Sequence, residues 1–280
     1  MLSKNNKPKV CSYCEPIKAH CGTIVFCTDR RVNSEVIAEA MKEQGASQEI
    51  VLCLKSSYGH ESAGNKIQEK DFVIAQALKL GIGPGHFGKV VAVFGHNHKC
   101  GGMNAQHELH KLEFKIEKEK NKGNKTKTEF FKKKIKKLKE DPIYGWVALD
   151  MKEFNPLISE LKKIKKDGFF EFAFSDKFRM LLEEFNVLVQ LGKLIKRKDF
   201  RNYYFMALKD GRGKIKLIGG IYSPKEKLSK GATFTSVGSV DFSFSLLYKT
   251  FGEKKAKEFF SFFGLKHEKG NPLFQYSIKN

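Results

Sequence analysis

The sequence lacks any run of about 18 consecutive apolar residues, the length a membrane-crossing helix needs. Its first residues, Met1-Leu2-Ser3-Lys4-Asn5-Asn6-Lys7, carry no apolar core of the kind a secretory leader uses. The expected location is therefore the cytoplasm, with no membrane partner. Arginine is also scarce, at six of the 52 basic residues. The formal charge of +21 invites a nucleic-acid partner. Base edges and phosphate forks are read mainly by arginine, however, and the lysines here are spread along most of the chain. The charge is expected to be a solvated lysine surface, with a polyanion such as RNA as the alternative partner. Cysteine is absent after Cys100: the six are Cys11, Cys14, Cys21, Cys27, Cys53 and Cys100. In a chain of this size without a leader, they point to metal or catalytic roles rather than a disulfide framework.

From residue 22 to about 110, apolar runs alternate with helical periodicity. Residues 22–26, 50–54 and 89–94 read as buried strands. Asn33 or Ser34 can cap a helix carrying Val36, Ile37, Ala40 and Met41, which Gly45 ends. A second helix runs from about Asp71, and a third opens at Gly101-Gly102 with Leu109, Leu112 and Ile116 inward. Such alternation predicts an α/β fold with a parallel central sheet flanked by helices. Lys118 to Lys127 reads as an exposed loop. Phe131, Ile135 and Leu138, at i, i+4 and i+7, mark an amphipathic helix, and Ile143 to Leu149 a further strand.

After about residue 155 thiols vanish and phenylalanine abounds. Phe169 to Phe174 reads as a strand and Phe178 to Gln190 as a helix. Tyr203 to Leu208 and Lys214 to Ile218 flank Asp210-Gly211-Arg212-Gly213 as a hairpin. Ala256 to Phe263 reads as a helix and Leu273 to Ile278 as a strand. The expected organisation is an N-terminal arm (1–21), a metal-binding domain (22–153) and a smaller α+β domain of no assigned role (154–280).

Two clusters follow apolar runs and carry the chemistry. Cys27-Thr28-Asp29-Arg30-Arg31 closes the first strand, and His96-Asn97-His98-Lys99-Cys100-Gly101-Gly102-Met103 closes the third. Ligand sites in such sheets lie beyond the carboxyl ends of the strands. Two cysteines and a histidine are the donor set of an open zinc site, with its fourth position left for water. Cys27 and Cys100 as plain buried thiols, beside an Asp29–Arg31 surface ion pair, form the bland alternative. Cys11, Cys14, His20 and Cys21 have the donor types of a second metal site, or are reduced thiols in the arm. Cys53 fits as a small buried hydrophobe. His60, His86 and His267 read as loop residues, with a proton-shuttle role as the alternative for His60.

These residues resemble the beta-class carbonic anhydrases over residues 20–152. That family's Cys-x-Asp-x-Arg is matched by Cys27, Asp29 and Arg31, and its Gly-His-x-x-Cys-Gly-Gly-Met by Gly95 to Met103 with one residue added. Glu61-Ser62-Ala63-Gly64-Asn65 stands where the family has Arg-Asn-Ala-Gly-Asn, and Gly145-Trp146-Val147 resembles its closing strand. Arg30 replaces a usual serine. The resemblance implies a zinc lyase that reversibly hydrates carbon dioxide to bicarbonate, working as a homodimer or higher homo-oligomer. Zn2+ would be held by Cys27, Cys100 and either His96 or His98. Asp29 would orient the water and Arg31 would hold Asp29 ionised. Because of the added residue, His96 keeps the family's Gly-His junction while His98 lies nearer Cys100. A hydrolase of carbonyl sulfide or carbon disulfide would use the same constellation, and a non-catalytic zinc-stabilised binding protein is the alternative outside enzymes.

Overall fold

The computed structural model describes residues 22–27, 36–37, 52–56, 90–96, 101–140, 153–196, 201, 216–227, 235–241, 243–267 and 275–278. The three short apolar runs form β1 (Gly22–Cys27), β2 (Leu52–Ser56) and β3 (Val90–His96). Continuous valine, isoleucine and phenylalanine suit strands covered on both faces. β1 lies between the other two, parallel to both, with Ile24 opposite Cys53 on one side and Ala92 on the other.

The expected fold class needs correction. β3 is apolar along most of its length and takes a neighbour on both edges. The second neighbour is β4 (Lys216–Lys227), from the far end of the chain. β4 runs parallel to β3 from Val90↔Lys216 to His96↔Tyr222. β5 (Thr235–Asp241) then pairs antiparallel to β4. After β6 (Leu265–His267), β7 (Gln275–Ile278) pairs antiparallel to both β4 and β6. One mixed seven-stranded sheet therefore replaces a parallel sheet followed by a separate α+β domain. Helix outweighs strand among the described residues.

Among the described residues, the helices longer than two residues include α1 (Gly101–Asn121), α2 (Lys125–Glu140), α3 (Asn155–Lys165), α4 (Phe169–Ala173), α5 (Asp176–Lys196) and α6 (Ser245–Phe262). The loop expected at Lys118–Lys127 shrinks to a turn. Gly123, at φ 70°, ends α1: its N–H reaches the Lys120 carbonyl and the Asn124 N–H reaches that of Glu119, both at 2.9 Å. Asn124 at once caps α2, its Oδ1 accepting the Lys127 N–H at 3.1 Å. The strand expected at Phe169–Phe174 is a helical turn. Phe169 and Ala173, four apart, are buried together, while Phe170 and Phe172 are half-buried. Alternating phenylalanines imitate a strand, but packing selects the helical face. Tyr203 to Leu208, Ile143 to Leu149 and the helix expected from Asp71 lie outside the described residues.

α5 is the core helix, buried without interruption from Leu181 to Gly192. It lies across β3 and β4, and α1 and α6 pack against it. Gly219 permits this approach. A Cβ there would stand 2.9 Å from the Phe244 ring and 3.0 Å from a Leu191 methyl. The core is aromatic, with Phe185 facing Phe154, Phe259 and Phe263 at centroid distances of 5.4–5.8 Å. α6 begins from Phe244, a buried residue in the left-handed region (φ 48°), where a bulky side chain is rarely found. The Glu184 carboxylate on α5 accepts the N–H groups of Leu246 (3.0 Å) and Leu247 (2.7 Å), anchoring that first turn.

Candidate metal centre

Backbone register brings two of the candidate ligand positions to one edge. Cys27 is the last residue of β1 and pairs with Ser56 of β2. On the neighbouring strand, His96 is the last residue of β3 and pairs with Tyr222 of β4. Because β1 and β3 are parallel and Phe26 is opposite Phe94, Cys27 falls level with Gly95, and His96 lies one residue further along at the same carboxyl edge. α1 opens at Gly101, the residue after Cys100. Asp29, Arg31, His98 and Cys100 lie outside the described residues, as do Cys11, Cys14, His20, Cys21, His60 and His86. Among the described residues no group of three or more His, Cys, Asp or Glu side chains is placed to hold a metal ion. The donor chemistry nevertheless suits zinc, since thiolate and imidazole are its usual ligands.

The helix that follows β3 holds buried polar residues that the sequence analysis did not single out. α1 buries Gln106, His107 and His110 together with Met103 and Phe114. His107 Nε2 donates to the Ala173 carbonyl at 3.0 Å, and Gln106 Nε2 donates to His110 Nε2 at 3.1 Å. His110 sits among the rings of Phe114, Phe154 and Phe178. Burial, with a smaller push from His107, lowers its pKa to about 3, and burial lowers that of His107 as well. Both rings are thus held neutral and act as packing and hydrogen-bonding groups. Their signal was present in the i, i+3, i+4 and i+7 spacing of Met103, Gln106, His107 and His110, which marks the buried face better than Leu112 and Ile116, both half-buried.

α5 contributes a buried ion pair close to the same edge. Arg179 Nη1 donates to Glu183 Oε1 at 2.7 Å, with the two side chains 11% and 1% exposed. A Cβ on Gly95, the residue before His96, would lie 3.6 Å from the Glu183 carbonyl and 3.0 Å from a Val187 methyl. α5 therefore presses directly against the end of β3. Any side chain at position 95 would crowd Val187 and Ile221.

Farther along α1, burial raises the Glu113 carboxyl to about 7, and Lys139 of α2 partly offsets the rise. The folded state then holds a proton that the unfolded chain has lost, so stability falls as pH rises from about 4.5 to about 7. Glu113→Gln should leave Tm unchanged at pH 4 and raise it at pH 8, by about 1 kcal/mol equivalent once solvent screening is allowed for. Thermal melts across this range check the sign.

No family model and no curated protein matches the chain.

Proposed function

We propose that the chain is a zinc enzyme that hydrates carbon dioxide reversibly to bicarbonate, the reaction of the beta-class carbonic anhydrases it resembles. The supporting observation is the parallel β1–β3 register, which brings the Cys27 and His96 positions to adjacent strand ends. Cys27, His96 and Cys100 would hold the metal. His96 is favoured over His98 because it closes β3, and the extra residue is then absorbed by the loop through Asn97, His98 and Lys99. Bound zinc supplies Lewis acidity that makes water a nucleophile near neutral pH. Asp29 orients the attacking water by accepting its hydrogen bond, and Arg31 keeps Asp29 ionised through a charge-assisted pair. The same residues would serve carbonyl sulfide or carbon disulfide, the substrate being selected by the pocket. A homodimer or higher homo-oligomer in the cytoplasm completes the proposal.

Zinc content and carbon dioxide hydration are to be measured on one purified sample. About one zinc per chain is expected. Cys27→Ser, Cys100→Ser and His96→Ala should each lose most of it, while His98→Ala keeps zinc. Asp29→Asn should keep zinc and lower turnover by about 100-fold, the size typical of a lost positioning or proton-handling group. Full zinc without measurable hydration would refute the enzyme, and unchanged zinc in both cysteine variants would move the metal elsewhere.

A further inference from the structure

We infer that the outer stripe of α2 binds single-stranded nucleic acid along its phosphate backbone, independently of the reaction proposed above. α2 docks on α1, with Thr128 buried and Phe131, Ile135 and Leu138 half-buried. On its other side Phe130, Lys133, Lys134 and Lys137 fall at i, i+3, i+4 and i+7, one continuous stripe, and all four are exposed. Phe130 is 52% exposed, with Lys134 Nζ 4.7 Å from its ring centroid. The helix sequence KTKTEFFKKKIKKLKE carries eight lysines and two glutamates. Both glutamates lie beside other lysines: Glu129 pairs with Lys132 at 2.6 Å, and Glu140 is 3.8 Å from Lys136. Lys133, Lys134 and Lys137 have no carboxylate partner among the described residues.

The chemistry selects the partner. Three unpaired ammonium groups along a helix about 24 Å long match a regularly spaced polyanion. An exposed phenylalanine among them offers a face for an unstacked base, which a duplex does not present. A lipid surface would need the apolar stripe that α2 has already turned toward α1. A protein partner would need an apolar centre rather than one ring among lysines. The scarcity of arginine on the chain makes the binding indifferent to sequence.

The test is fluorescence anisotropy of the full-length protein with a labelled 20-nucleotide oligouridylate at several salt concentrations. Replacing Lys133, Lys134 and Lys137 with glutamate together should weaken binding roughly 30-fold and lower the slope of log K against log salt by about 2. The glutamine triple variant should lower the slope equally with a smaller loss of affinity. Phe130→Ala should weaken binding about tenfold and leave the slope unchanged. Glutamate at Lys166, Lys196 and Lys254, exposed lysines elsewhere, should change affinity less than about threefold. Equal loss in that control would reduce the effect to net charge and overturn the assignment. So would equal affinity for duplex with Phe130→Ala neutral, or tighter binding to vesicles containing phosphatidylserine that the α2 variants abolish. Tm and zinc content, measured on each variant, separate this surface from the proposed metal centre.

Discussion

Phe185→Ala should lower the unfolding free energy by about 4 kcal/mol, within the range for deleting a fully enclosed ring. Phe185 has no exposed surface and sits at the middle of α5. Its ring meets Phe259 almost perpendicularly (88°), Phe263 at 70° and Phe154 at 41°. One truncation therefore removes edge contacts to α6, to the turn after it and to the residue that opens α3. Phe154 and the Phe259–Phe263 pair come from separate parts of the chain, so the cavity cannot close by a single local shift. Phe185→Leu, which refills most of the volume, should cost about 1–2 kcal/mol. Urea titration checks both values. The midpoint should fall with the slope unchanged, because the folded state keeps its compactness. A loss below about 1 kcal/mol for the alanine variant would mean that the aromatic cluster repacks freely.

Glu184→Ala should cost about 3 kcal/mol by a different route. The two α6 amides that the carboxylate accepts are the first of a helix whose preceding residue, Phe244, is a phenylalanine and so offers no capping oxygen. Losing the acceptor strands buried donors and removes a negative charge from a helix N-terminus. Glu184→Gln retains one acceptor and should cost about half as much. Amide exchange separates this from a general loss of stability. The Leu246 and Leu247 amides should lose protection in Glu184→Ala far more than the amides of α5. Equal loss in both helices would show that the carboxylate has no special hold on α6.

The local elements were readable where the physics is local. The runs at 22–26, 50–54 and 89–94 fall on β1, β2 and β3, and Phe178 to Gln190 falls within α5, because continuous apolar stretches and 3.6-residue periodicity are properties of a few neighbours. The helix marked by Phe131, Ile135 and Leu138 is α2 for the same reason. Failures came where distant packing decides. Nothing within Val90–Phe94 says that its second edge will be taken by Lys216–Tyr222, and this pairing joins strands expected in a parallel sheet and in a following α+β domain into one mixed sheet. Phe169–Phe174 alternates like a strand, yet its burial is helical. Lys118–Lys127 looks like a loop because its helices are held by Gly123 and Asn124, two residues that mark a stop and a start together. Of the candidate site, Cys27 and His96 were legible as strand ends, and they close adjacent parallel strands at one edge, one residue out of step. Asp29, Arg31, His98 and Cys100 lie outside the described residues. The buried His107 and His110 went unnoticed because histidine at a periodic apolar position looks like a polar interruption.

The β3–β4 pairing also sets a timetable for synthesis. His96 leaves the ribosome well before Tyr222, its partner, and at about 5–20 residues per second the interval is roughly ten seconds. Throughout that wait the edge of Val90–Phe94 that β4 will cover stays open, and an apolar strand edge readily recruits a second chain. The segment made during the same interval begins with α1 and α2, where lysine is densest. Like charges on those two helices oppose the association that such an edge invites, the role general to charged residues near an unavoidable apolar strand. The order of elements along this chain thus places its densest lysines soon after a strand edge that waits for a distant partner.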